Sequence, residues 1–271
     1  MIYKAGCLGR LMMHQPKRIA VIGMGIMGSA MAVNLLHAGF QVGVYNRTPE
    51  KTKTAVDAGA TSYDTIASAA KDHEVILFML SDGDAVAKAV ESCREELTDE
   101  KVVVNMSTLS RDETQGVAVT MQEVGVPFVD APVSGSKKPA EDGTLVVLAG
   151  GDREVVDWLE PVFSAVGKKT VYAGEVPQGT MMKLTINLLL GVCMEGLSEA
   201  VAFGEDGGLD AQTIMEVVNA GALACPLFQV KTGMMQDKTF SAQFPLKHMA
   251  KDFRCISEVA DANQSRLFLG A

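Results

Sequence analysis

The chain has 271 residues, enough for one large domain or two ordinary ones, and 48% of them are hydrophobic, which is enough for a substantial core. A formal net charge of -9 argues against nucleic acid as the main partner. The five cysteines, Cys7, Cys93, Cys193, Cys225 and Cys255, have no ligand spacing, and the four histidines are scattered. No metal site and no disulfide framework are expected, and a reducing, cytoplasmic setting is.

Residues 1–16 lack the apolar core of a signal peptide and read as an N-terminal extension. Lys17 to Gly23 is an apolar run ending in glycine, the pattern of a buried parallel strand. Gly23-Met-Gly25-Ile-Met-Gly28 follows at once, and Ser29 to Ala38 reads as a helix. A GxGxxG set between strand and helix is the signature of a dinucleotide-binding turn. Gly23 permits the tight turn, Gly25 lets the backbone approach a pyrophosphate, and Gly28 lets helix and strand pack closely. The phosphates would sit at the helix N-terminus.

Gln41 to Tyr45 is the next strand, followed by Asn46-Arg47-Thr48-Pro49. NAD enzymes usually place a carboxylate here to hold the ribose hydroxyls. No carboxylate stands at these positions. Arg47 can pair with a 2′-phosphate and Thr48 can donate a hydrogen bond, so NADP is predicted over NAD. The alternative is a solvated Arg47, with Thr48 capping the helix that begins at Pro49.

The alternation continues with strands over Glu74–Met79, Lys101–Asn105, Val126–Asp130, Thr144–Ala149 and Lys169–Tyr172. Helices are predicted from about Ala85 to Cys93, over Asp112–Val124 and over Arg153–Val166. This pattern predicts an α/β fold, a Rossmann-type doubly wound parallel sheet over 17–177. Ligands bind beyond the carboxyl ends of such strands. Thr108 lies there, where a nicotinamide or substrate contact competes with plain helix capping by Ser110. Ser134, Gly135 and Ser136 also follow a strand and offer N–H groups and hydroxyls for a carboxylate. The adjacent Lys137 and Lys138 add positive charge, or form a solvated pair.

From Gln178 the β signal stops. Helices are predicted from Gln178 to about Glu205, and over Asp210–Val218, Pro226–Met235 and Leu246–Ala262, giving an all-α second domain over 178–271. Its longest uncharged run, Leu184–Met194, is too short to span a bilayer. Lys183 and Asn187 share one face of an apolar helix, one turn apart. A buried lysine loses proton affinity, which suits it to proton transfer near neutral pH. The alternative is a surface lysine whose stem snorkels. Lys247 and Lys251, and His248 and Asp252, pair at i, i+4, which on periodicity alone reads as a solvated face.

Together these motifs resemble the β-hydroxyacid dehydrogenase family. The segments Gly23–Gly28, Asp130–Gly135, Gly179–Asn187 and Lys251-Asp252 carry the resemblance. The wording of Ser134–Gly143 and Phe244–His248 is similar to its glyoxylate and succinic semialdehyde reductase branch.

The resemblance implies NADP(H) as cofactor and a small carboxylate-bearing aldehyde or hydroxyacid as substrate. Lys183 would be the general acid, held in register by Asn187. Ser134, Gly135 and Ser136 would bind the substrate carboxylate, Thr108 would touch substrate or nicotinamide, Phe244 would wall the pocket, and Asp252 would orient nearby groups. Gly23, Gly25, Ile26, Met27, Gly28, Asn46, Arg47, Thr48, Met79, Leu80 and Lys251 would lie along the cofactor. A homo-oligomer, dimer or tetramer, is expected. Members usually run some tens of residues further, with additional helix after the Lys251 segment, so the second domain is expected to be short at its C-terminus.

Overall fold

The computed structural model describes residues 14–236 and 245–270. Six strands, β1 (Arg18–Ile22), β2 (Gln41–Tyr45), β3 (Thr61–Ser62), β4 (Val75–Phe78), β5 (Val102–Asn105) and β6 (Phe128–Asp130), form a parallel sheet in the order 3-2-1-4-5-6. That is the Rossmann order, whose ligand crevice opens where the order reverses beside β1. Both faces of the sheet are buried, because period-two alternation sends successive side chains into two separate cores. Ile19 and Val21 join one cluster, while Ala20 and Ile22 join the other.

Beyond β6 the sheet departs from the expected parallel pattern. β7 (Val133–Ser134) and β8 (Leu145–Gly150) pair antiparallel, joined by a short connection that contains helix α6 (Lys137–Glu141). That connection is too short for a full crossover, so β8 also runs antiparallel to β6. β9 (Gly167–Gly174) then lies parallel to β8.

The helices of this part are α1 (Ile26–His37), α2 (Lys53–Asp57), α3 (Ile66–Asp72), α4 (Gly83–Ser92), α5 (Arg111–Val124), α6, α7 (Arg153–Trp158) and α8 (Glu160–Val166). The single helix expected over Arg153–Val166 is two helices, because Pro161 in the first turn of α8 cannot donate back into the preceding turn. β3, α3, β7 and α6 were not anticipated, being too short to show a hydrophobic period. Thr48 precedes a 3-10 turn at Pro49–Thr52 and makes no side-chain cap there. Ser110, by contrast, forms a full capping box with Glu113 at the start of α5.

Four helices follow: α9 (Gln178–Asp206), α10 (Ala211–Ala220), α11 (Pro226–Gln236) and α12 (Leu246–Ala262). α9 packs on the sheet by its first turns and crosses α12 further along. Gly191 makes the crossing possible, since a Cβ there would run into the Phe253 ring. By length and composition α9 could cross a membrane, contrary to the expectation drawn from uncharged runs. In this structure its positions Gly179, Thr180, Lys183, Leu184 and Asn187 are buried within the protein.

Candidate active site

The crevice lies over the carboxyl ends of β1, β4, β5 and β6, and α9 and α12 close one side of it. Its floor is the glycine loop. Gly23 has φ +108°, and a Cβ there would overlap the Met79 carbonyl oxygen and press on the Leu80 side chain. Gly28 is tighter still, since a Cβ would sit inside the Gly23 carbonyl oxygen. Gly25 faces open space with no atom within 4 Å of the Cβ position. The loop is therefore packed shut on two glycines and open on the third, at the N-terminus of α1, where free N–H groups favour an anion. This cradle fits the pyrophosphate of a dinucleotide. Ile26 is exposed and Met27 half-buried on the first turn, and Met79 and Leu80 line the loop from the end of β4. The Leu80 N–H donates to Ser107 Oγ at 2.8 Å, which ties β4 to β5.

Asn46 is held by two hydrogen bonds within the protein. Its Oδ1 accepts from the Met24 N–H at 2.9 Å, and its Nδ2 donates to the Thr48 carbonyl at 2.8 Å. Both ends of the amide are thus used inside the protein, pinning the glycine loop to the segment after β2. Arg47 and Thr48 stand exposed on that segment.

Lys183 is buried, at 9% exposure, so the snorkelling alternative fails. Burial pulls its pKa down from 10.5 to about 8, while Asp252 pulls it back up and Lys251 pushes it further down. One turn on, Asn187 donates through Nδ2 to Asp252 Oδ2 at 2.6 Å. Asp252 is 1% exposed and its Oδ1 lies 3.0 Å from Lys251 Nζ. Lys251 also donates to the Thr108 carbonyl, joining α12 to the loop after β5. The solvated face expected for Lys251 and Asp252 is therefore wrong: periodicity cannot see that α9 supplies a polar partner. Lys247 on the same helix is exposed, as that reading expected.

Ser134 ends β7, against which α9 packs. Gly135 has φ +135°, and a Cβ there would press on Leu145 and Pro139, so the loop can only be built with glycine. Ser136 precedes α6 and makes no cap. Lys137 and Lys138 form exposed i, i+4 pairs with Glu141 and Asp142. The structure thus gathers Thr108, Lys183, Asn187, Lys251 and Asp252 at one seam, with the Ser134 loop against the same helix. Phe244 lies outside the described residues. Among the described residues no cluster of three metal-ligating side chains occurs.

Sequence reasoning assigned no role to Asp130, which is fully buried at the end of β6. Its place at the carboxyl end of a parallel strand was the available signal. Lys101 was also missed. It donates to the carbonyls of Ala70, Lys71 and His73 at 2.7–3.0 Å and so closes the end of α3.

Comparison with known proteins agrees with this geometry. Residues 18–174 match the model of the NAD binding domain of 6-phosphogluconate dehydrogenase. Residues 177–271 match the model described as NAD-binding of NADP-dependent 3-hydroxyisobutyrate dehydrogenase. Glyoxylate/succinic semialdehyde reductase 1 of Arabidopsis thaliana is 36% identical over 248 residues, which are 90% of this chain and 86% of that one. The chloroplastic reductase 2 of the same plant is 35% identical, over 90% of this chain and 69% of its own. Among solved structures, 3-hydroxyisobutyrate dehydrogenase of Mycobacterium tuberculosis with L-serine superposes with a TM-score of 0.86 at 25% identity, covering 94% of this chain and 90% of that one.

Proposed function

The chain belongs to the β-hydroxyacid dehydrogenase family of NAD(P)-dependent oxidoreductases, and on that premise we propose that it is an NADPH-dependent reductase of small aldehyde acids, glyoxylate and succinic semialdehyde first among them. NADPH, when bound, supplies the hydride that reduces the aldehyde carbon. The glycine loop with α1 would hold its pyrophosphate, and Arg47 and Thr48 its 2′-phosphate. Ser134, Gly135 and Ser136 would take the substrate carboxylate through N–H groups and hydroxyls. Lys183 would give its Nζ proton to the carbonyl oxygen as the alkoxide develops. Asn187 and Asp252 hold the helix face that carries it, and the buried setting keeps water from competing.

One observation supports this reading above the others, a lysine buried in an apolar helix with a pKa near 8. Such a group is protonated at neutral pH and gives up the proton at small cost. It also argues against a cofactor-binding scaffold without chemistry, which has no use for a buried cation. An enzyme of the same fold acting on 3-hydroxyisobutyrate or on tartronate semialdehyde is the second reading, the former favoured by the family model matched over 177–271. A cytoplasmic setting and a homo-oligomer belong to the same proposal. Exposed Phe203, Val217 and Leu223 on the helical part support association with a second copy.

The test is the loss of NADPH absorbance with glyoxylate or succinic semialdehyde, repeated with NADH and with Lys183→Ala. Turnover with NADPH that the variant loses, while it stays folded, supports the assignment. A folded Lys183→Ala protein with near-wild-type turnover refutes it.

A further inference from the structure

Asp130 is a buried carboxyl group that the chemistry above leaves unused. It ends β6, four residues before Ser134, and its Oδ2 accepts from the Thr180 N–H at 2.6 Å. Thr180 lies in the first turn of α9, three residues before Lys183. The Thr180 hydroxyl shares a 2.9 Å hydrogen bond with Thr114 Oγ1, and Thr114 donates on to the Ser110 carbonyl at 2.9 Å. One carboxyl group thus joins the strand leading into the substrate loop, the first turn of the lysine helix and the start of α5.

The surroundings are built around it. A Cβ on Gly150 would collide with Asp130 Oδ1, and a Cβ on Gly179 would collide with the Asp130 carbonyl oxygen. Oδ1 is nevertheless buried without a hydrogen-bond partner. A carboxylate with one oxygen lacking a well-formed hydrogen bond is a poor choice for stability alone, since an unmet buried acceptor costs about 1–3 kcal/mol. Such compromises cluster where function needs them.

We propose that Asp130 is a positioning residue, which as a carboxylate grips the first turn of α9 and sets Lys183 in register with the Ser134 loop, and whose grip weakens on protonation, because the neutral acid loses the charge that strengthens the bond from the Thr180 N–H. The inference rests on the reading of Lys183 as proton donor. Burial pushes the Asp130 carboxyl up to about 7, against the nearby backbone N–H groups of Thr180, Gly179 and Asp130 itself, which favour the charged form. Among the described residues no charged side chain contributes to this shift, and the groups set against Asp130 are Asn105 from β5, Gly150 from β8, and Gly179 with Thr180 from α9. The charges that act on Lys183 itself are Asp252 and Lys251 from α12, so Asp130 works on the lysine through the backbone.

Two measurements on the full chain test this. The first follows the Thr180 amide by NMR in threonine-labelled wild-type protein. The expected result is a titration with a midpoint at about pH 7 that Asp130→Asn abolishes. A Thr180 amide that stays flat through that range overturns the proposal, whether or not the variant folds and whatever the substrate proves to be.

The second is the pH profile of kcat with NADPH and glyoxylate. Wild type should lose activity on the acid side as Asp130 takes up its proton. Asp130→Asn should lack that limb, with kcat lower by about ten- to a hundred-fold, the range a small misplacement of a reacting group costs, and with KM for NADPH unchanged. An identical acid limb in both proteins overturns the proposal. A wild type inert towards every aldehyde acid counts against the reductase reading instead, and the amide titration still decides the role of Asp130.

Discussion

Asn187 and Asp252 lie 65 residues apart in sequence and are joined by a 2.6 Å hydrogen bond inside the protein. The bond fixes α9 against α12 at the level of Lys183. Asp252 also raises the proton affinity of Lys183, which burial lowers. Removing the charge with Asp252→Asn should therefore lower the pKa of Lys183 further. In the reducing direction the lysine must start protonated, so the alkaline limb of the kcat profile should move to lower pH. An unmoved limb would show that Lys183 is not the group that titrates there.

The glycine loop separates packing from ligand space. Gly28→Ala drives a methyl group into the Gly23 carbonyl oxygen and should cost about 1–3 kcal/mol, the usual penalty for overpacking. Gly25→Ala meets nothing in the protein and should cost about 1 kcal/mol, the usual loss when alanine replaces a better helix N-cap residue. Its methyl group would occupy the space where the pyrophosphate must approach. Thermal unfolding together with NADPH titration should show Gly25→Ala stable but weakly binding. Tight NADPH binding by that variant would place the phosphates elsewhere.

Arg47 stands exposed beside Thr48, on a segment held by the two hydrogen bonds of Asn46. Charge-assisted hydrogen bonds are worth about 1.5–3 kcal/mol, so Arg47→Ala should raise KM for NADPH by about ten- to a hundred-fold and leave KM for NADH unchanged. Asn46→Asp should be more damaging than the loss of one donor, because it sets a carboxylate oxygen against the Thr48 carbonyl and unpins the segment. Equal effects on both cofactors would remove Arg47 from 2′-phosphate recognition.

The strands and the glycine loop were legible because they rest on local signals: apolar runs of strand length, glycines at fixed spacing, and strand–helix alternation. The antiparallel turn at β7 and β8 was not, since the direction of a strand depends on how its connection closes. The burial of Asp252 was hidden for a similar reason. On α12 alone it shares a face with His248, and it is the approach of Asn187 and Lys183 from α9, with Lys251 beside it, that makes an interior carboxylate tolerable. Thr48 shows the opposite case. Its place before Pro49 looks like a cap, yet its side chain makes no cap hydrogen bond to the 3-10 turn that begins there. Lys183 could be read from its helix as buried or as snorkelling, and the packing of α9 on the sheet and α12 decides which.

Lys183 itself permits the sharpest separation of stability from activity. Its pKa falls from 10.5 to about 8 in the folded protein, so folding disfavours its charged form. Below pH 8 the lysine is charged both folded and unfolded, and the full penalty is present. The penalty is relieved as pH rises through the folded value, where the buried group loses its proton. Lys183→Met removes the charge and keeps the bulk. It should abolish turnover yet raise stability at neutral pH by up to about 3 kcal/mol, at 1.36 kcal/mol for each pKa unit of the shift. The gain should be smaller to the extent that Asp252 loses a favourable neighbour, and should shrink at alkaline pH. Denaturant unfolding at neutral and alkaline pH measures it. A variant less stable than wild type at both would mean that Lys183 is bound more favourably than its burial implies.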